Sequence, residues 1–162
     1  MRVSAKADYA VRAAIELAAN GGDSSSPLKG ERIADAQGIP LKFLENILVD
    51  LRVAGLVNSR RGPDGGYWLA QPAGDVSIAD VFRAAEGPLA SVRGEKPEDL
   101  DYAGNAETLR DVWVALRASL RDVLEHVTLA DIAAGKLPKQ VASLTSEPGA
   151  WERRCQRRLS RR

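Results

Sequence analysis

The stretch from Lys29 to Ala70 constrains this chain more than any other. Residues 29–37 read as a short helix with Ile33 and Ala34 facing inward, and Gly38 ends it. Pro40 suits the first turn of a second helix, where its missing N–H is not needed, and that helix runs from about 40 to 54. Phe43, Leu44, Ile47, Leu48 and Leu51 give it one apolar face at helical spacing, and Ala54-Gly55 closes it. Two helices joined by a tight glycine-containing turn form a helix-turn-helix. Residues 56–60 and 67–70 then read as strands around Arg61-Gly62-Pro63-Asp64-Gly65-Gly66, a turn made of residues that tolerate unusual backbone angles. A basic, glycine-rich hairpin directly after a helix-turn-helix is a wing. Either half alone is a weak signal, whereas their order is a strong one.

The flanking segments fit around this centre. Residues 4–19 read as a helix capped by Ser4 and stopped by Asn20-Gly21-Gly22, and its many alanines imply close helix packing. Asp23–Pro27 reads as a surface loop. Ser77 caps a helix from Ile78 to Glu86, with Asp80 in its first turn and Gly87-Pro88 after it. Residues 88–105, rich in glycine, proline and acids, read as a loop of a length that is often functional. From 106 to 127, Leu109, Trp113, Leu116, Leu120, Val123 and Val127 recur at alternating spacings of four and three. That is a heptad seam, and in a small protein it predicts pairing with a second copy. Packing on its own domain is the plainer alternative. Thr128 then caps a short helix, and beyond Gly135 the chain reads as mobile.

The expected fold is therefore mainly α with a small β-hairpin wing, a winged helix-turn-helix plus a long dimerisation helix. Its expected division is a DNA-binding module over 1–87, a loop over 88–105, a dimerisation helix with a short following helix over 106–135, and a basic flexible tail over 136–162.

Composition narrows the function. The single histidine, His126, and the single cysteine, Cys155, leave no intrachain disulfide, no multi-cysteine metal site and little histidine-based catalysis. No P-loop, dinucleotide-binding, zinc-protease or nucleophile-elbow motif is present, so an enzyme is not expected. No apolar run is long enough to span a membrane, and the charged opening residues leave no room for a signal peptide, so a cytoplasmic address is expected. The net charge of +1 hides a distribution: nine basic against eight acidic residues over 1–70, eight against thirteen over 71–150, and six against one over 151–162. Local placement matters more than that total.

The second helix of the helix-turn-helix would enter a major groove by its N-terminal end, presenting Leu41, Lys42, Glu45, Asn46 and Val49 outward. Lys42 and Asn46 can reach base edges or phosphates, and a Glu45 carboxylate can accept from a cytosine amine. Ordinary solvated surface is the plainer reading of all three. Arg60 and Arg61 at the wing suit a narrow, electronegative minor groove. Arg2 and Ser4 could hold phosphates, and Phe43, Arg52 and Gly62 complete the expected DNA-facing set.

These residues resemble the Rrf2 family of bacterial winged-helix regulators. The resemblance runs over about residues 1–133. Its pieces are Met1-Arg2-Val3-Ser4 with Asp8-Tyr9-Ala10, Ile33-Ala34 to Gly38-Ile39-Pro40, and Phe43-Leu44-Glu45 to Leu51-Arg52. Gly55-Leu56-Val57, the wing from Arg61 to Tyr67, Ser77-Ile78 to Glu86-Gly87 and Thr128–Asp131 complete them. It implies a homodimer whose long helices cross near a twofold axis and whose two modules reach successive major grooves of a palindromic operator. It assigns base contact to Glu45 and the wing contact to Arg61.

Several members of that family bind an iron–sulfur cluster through three cysteines in the loop that falls here at 88–108. This chain has none there, and Glu107 and Arg110 stand where ligands would be expected, so no cofactor is expected. Asp8 matches a partner-subunit ligand of the nitric-oxide-sensing branch, but without thiolates it reads as a polar residue of the first helix. His126 reads as structural, near a helix C-terminus. Cys155, among arginines, reads as an exposed thiol that its neighbours could activate. Control stays open between a small molecule bound between the winged module and the long helix, a partner protein, and constitutive repression. An adaptor that keeps the fold but has lost DNA binding is the alternative from another class.

Overall fold

A computed structural model describes residues 3–152. Helix α1 (Ala5–Asn20) runs through the middle of the winged module and packs on four other helices. Ala7, Ala10, Ala13, Ala14 and Leu17 are its buried residues. Their small side chains let the neighbouring backbones approach closely. The Ser4 hydroxyl accepts from the Ala7 N–H at 3.0 Å, a cap of the kind that contributes about 1 kcal/mol.

Helices α2 (Gly30–Gln37) and α3 (Leu41–Val53) meet at Gly38, whose φ of +61° is the left-handed turn that closes α2. Pro40 sits one position earlier than expected. It is the cap rather than the first helical residue, and its carbonyl accepts from the amides of Phe43 and Leu44. Leu44, Ile47, Leu48 and Leu51 hold α3 in the core with Leu17 and Ile33. Phe43 departs from the expected inward face: it is 45% exposed and meets Tyr9 edge-on.

Strands β1 (Val57–Arg60) and β2 (Gly66–Leu69) form the antiparallel wing, with Val57 opposite Leu69 and Arg60 opposite Gly66. A third segment joins them. Leu28 and Tyr67 exchange both backbone hydrogen bonds, at 2.9 and 2.8 Å, which ties the end of the Asp23–Pro27 loop to the wing. This bridge explains Gly66, where an added Cβ would come within 2.5 Å of the Leu28 carbonyl oxygen.

Helix α4 (Ile78–Glu86) and the short α6 (Leu129–Ala133) begin with matching capping boxes, Ser77 with Asp80 and Thr128 with Asp131. The two starts are laced together: Ile78 donates to the Val127 carbonyl and Leu129 to the Val76 carbonyl, each at 2.9 Å. Val127 is consequently 5% exposed inside the winged module's core, so it cannot extend the heptad seam. Helix α5 itself is shorter than expected, Leu109–Leu124. Residues beyond Gly135 also depart from the expected mobile tail: α7 (Lys139–Thr145) forms and places Val141 in the same core. The basic run from Arg153 onward, with Cys155, lies outside the described residues, as does Arg2.

Between α4 and α5 the acidic loop is ordered by two short turns of 3-10 helix, Pro97–Asp99 and Gly104–Ala106. Pro97 and Leu100 are buried beneath it. Arg117 of α5 pairs with Glu98, and the Trp113 indole N–H donates to the Tyr102 hydroxyl at 3.1 Å. A hydrogen bond from its own backbone, and after it the pairing with Arg117, hold the Glu98 carboxyl below its ordinary range. The loop thus braces α5 rather than hanging from it.

Candidate nucleic-acid interface

The buried residues of α3 fall at 44, 47, 48 and 51, so the opposite side must face out. Leu41, Lys42, Phe43, Glu45, Asn46, Val49 and Arg52 are all exposed. Lys6 of α1 pairs with Asp50 at 2.8 Å, and Tyr9 meets the Phe43 ring at 5.8 Å between centroids. Helix α1 therefore fastens α3 from behind at two points and leaves Lys42, Glu45 and Asn46 clear. Arg52 lies within 3.5 Å of the Ser59 hydroxyl, which links the last turn of α3 to the first strand of the wing.

A groove of about 490 Å3 runs between α3 and the wing, with Val49, Arg52, Ser59, Arg60, Arg61 and Gly62 on its walls. The later turns of α3 and the hairpin tip thus share one groove. The two wing arginines behave differently there. The Arg60 guanidinium donates to the Ser24 carbonyl and to the Asp64 carbonyl, both at 2.9 Å, so it is a strut across the wing. Arg61 is exposed and makes neither a hydrogen bond nor an ion pair among the described residues. Its successor Gly62 has φ +106°, a conformation that only glycine adopts easily, which turns the chain at the tip. The Ser4 hydroxyl is also committed, donating to a Glu86 carboxylate oxygen at 2.5 Å.

Helix α5 has no buried residue, although apolar side chains recur along it. Trp113, Leu120 and Val123 turn toward the winged module and are half-buried, as is Leu109. Leu116, which borders the same cavity as Trp113, Leu120 and Val123, is 41% exposed, and Val112 is 55% exposed.

This fold and surface define a winged helix-turn-helix regulator that binds nucleic acid. The sequence over residues 3–135 matches the family model for Rrf2, described as iron-dependent transcriptional regulators. A Mycobacterium tuberculosis protein named as an HTH-type transcriptional regulator is 53% identical over 152 residues, which span 94% of this chain and 93% of that one. The regulator CymR of Bacillus subtilis is 35% identical over 83% of this chain and 91% of its own. The structure of that protein, described as the global cysteine regulator, superposes with a TM-score of 0.69 and covers 85% of this chain and 99% of its own, at 30% identity. IscR of T. potens follows with a TM-score of 0.66 and 34% identity, covering 83% of this chain and 88% of its own. The chain belongs to the Rrf2 family and is a transcriptional regulator, not an enzyme.

The family's description raises iron, and the donors present do not fit an iron–sulfur group. Thiolates hold such clusters, and the described residues contain no cysteine. They contain no grouping of three histidine, cysteine or acidic side chains placed to hold a metal either. Glu107 and Arg110 are exposed surface residues. Among the described residues no helix is long and apolar enough to cross a membrane.

Proposed function

We propose that the protein is a cytoplasmic repressor that binds a palindromic operator as a homodimer and needs no iron–sulfur cluster to do so. The observation that carries this reading is the exposed face of α3, where Lys42, Glu45 and Asn46 stand clear of the protein's own packing, beside a wing whose exposed Arg61 has no partner among the described residues. Lys42 and Asn46 reach base edges or phosphates near the start of α3, and Glu45 accepts from a base amine. Arg61 enters the minor groove beside the helix. Arg60 contributes by holding the wing in shape. Arg52 borders the groove, where it lies near backbone phosphates.

Dimerisation rests on α5. A helix of sixteen residues that buries none of them in its own chain needs another partner for its apolar side. The apolar stripe of Leu109, Trp113, Leu116, Leu120 and Val123 pairs with the same stripe of a second copy. The winged module comprises residues 1–87 together with the returning segment from Val127 through α7. Residues 88–105 serve as a strap that fixes the angle of α5.

The test is retention of genomic fragments by protein stripped of metal with a chelator. The reading predicts saturable retention that survives excess competitor DNA and does not improve after incubation with iron and sulfide. Retention that appears only after that incubation would contradict it. Loss of all retention would favour an adaptor that acts through another protein.

A further inference from the structure

Leu41, Phe43, Val49 and Val53 are apolar side chains of α3 that remain exposed. Phe43 is engaged from behind, because its ring meets Tyr9 edge-on. Leu41 leans back toward α2, where its Cδ1 would stand 3.9 Å from a Cβ placed on Gly30. Val53 is the last residue of the helix and is 80% exposed. Val49 is different. It is 47% exposed and stands on the wall of the groove between α3 and the wing. At about 100° per residue it projects between Glu45 and Asn46, one turn further along, on the side away from Leu44, Leu48 and Leu51. Along the middle of this face the helix is therefore polar at Lys42, Glu45 and Asn46 and apolar at Val49 and Val53.

We infer that Val49 reads the C5-methyl group of a thymine and so sets part of the operator's sequence preference. This rests on the function proposed above, in which α3 enters a major groove. Base edges there carry donors and acceptors, and the thymine methyl is their one apolar group. A valine pressed against the acceptors of a guanine or the amine of a cytosine strips water from a polar group and returns no hydrogen bond, which is unfavourable. Against a methyl group, both partners gain by leaving water. The spacing along the helix fits. Val49 follows Glu45 by one turn, a rise of about 6 Å, close to two base-pair steps of about 3.4 Å. Glu45 and Val49 therefore address different base pairs, one through a base amine and the other through a methyl group. Val53 lies about 6 Å further toward the trailing end of a helix that enters by its start, so it stays clear of the base edges.

The experiment uses the full-length, metal-free protein and the tightest duplex it selects from a random-sequence pool. Each thymine in one half of that duplex is replaced in turn by deoxyuridine, which removes the C5-methyl group and leaves the pairing edge unchanged. Affinity is read by fluorescence anisotropy. The expected result is a position where the replacement weakens wild-type binding about fourfold, the loss for one buried methyl group. Val49→Ala should bind the parent duplex more weakly and lose less than about 1.5-fold at that same position, because the methyl group no longer has its partner. Val53→Ala should keep the full wild-type sensitivity. Both substituted sites are exposed, and melting temperatures check that both variants remain folded. The inference is overturned by a duplex in which no thymine responds. It is overturned equally by a response that Val49→Ala leaves unchanged, since the methyl group then acts on another side chain or on the shape of the DNA. A response abolished by Val53→Ala has the same consequence. Failure to select any duplex is a separate outcome: it refutes the DNA-binding reading before any thymine is tested, and removes the inference with it.

Discussion

Arg60 and Arg61 are adjacent and chemically identical, yet among the described residues only Arg60 is held by partners. Arg60 stands opposite Gly66, and its two donors close on the Ser24 and Asp64 carbonyls. The sequence offered no means of separating the pair, because the partners of Arg60 are backbone oxygens, one of them 36 residues away. The separation makes a measurable difference. Arg61→Ala should weaken operator binding about tenfold or more and make the dependence of affinity on salt shallower by about one counterion. Arg60→Ala should weaken binding through a distorted wing while leaving the salt slope unchanged. Equal loss of slope in both variants, measured by fluorescence anisotropy over a salt series, would return Arg60 to the DNA surface.

The elements were legible in proportion to how local their causes are. The helix-turn-helix, the wing and the cap of α4 follow from glycine, proline, serine and apolar spacing within a few residues of each other. The Leu28–Tyr67 bridge has no local signature, because it pairs a lone residue at the end of a polar loop with a strand 39 positions later. Its expected signature is sensitivity at Gly66. Gly66→Ala places a methyl group against the Leu28 carbonyl and should shift the wing, seen as loss of slow exchange at the Leu28 and Tyr67 amides and as weaker DNA binding. The apolar spacing of α5 continues in the sequence to Val127, past the end of the helix at Leu124. Val127 keeps the spacing and still belongs to the core, because backbone pairing with Ile78 turns the chain inward after Leu124. At the middle of that stripe, Leu116→Asp should convert a dimer to a monomer in sedimentation with its helix content retained. A dimer that persists would move the interface away from α5.

Taken whole, the molecule has one core that gathers residues from Ala10 to Val141, so the segments on either side of α5 fold together. The short α6 matters more than its length implies, since Leu129 is fully buried and Thr128 pairs with Ser77. Its capping box also has a pH signature. Hydrogen bonds from the Thr128 amide and hydroxyl hold the Asp131 carboxyl below its ordinary value. A carboxyl lowered by folding contributes stability above its unfolded value and loses it as pH falls through the folded one. The wild-type protein should therefore lose slightly more stability on acidification than Asp131→Ala, as read from urea midpoints across the acid range. Identical pH profiles would remove that contribution.

If two copies of this surface read two related stretches of DNA, selection from a random DNA pool with purified, metal-free protein will reveal the pair. The expected result is enrichment of a palindrome whose half-sites lie about one helical turn apart, roughly 10 base pairs between centres. The half-site preference should relax when Glu45 is replaced by alanine. Enrichment of a single asymmetric site would contradict the dimer, and no enrichment at moderate salt would contradict DNA recognition by the apoprotein altogether.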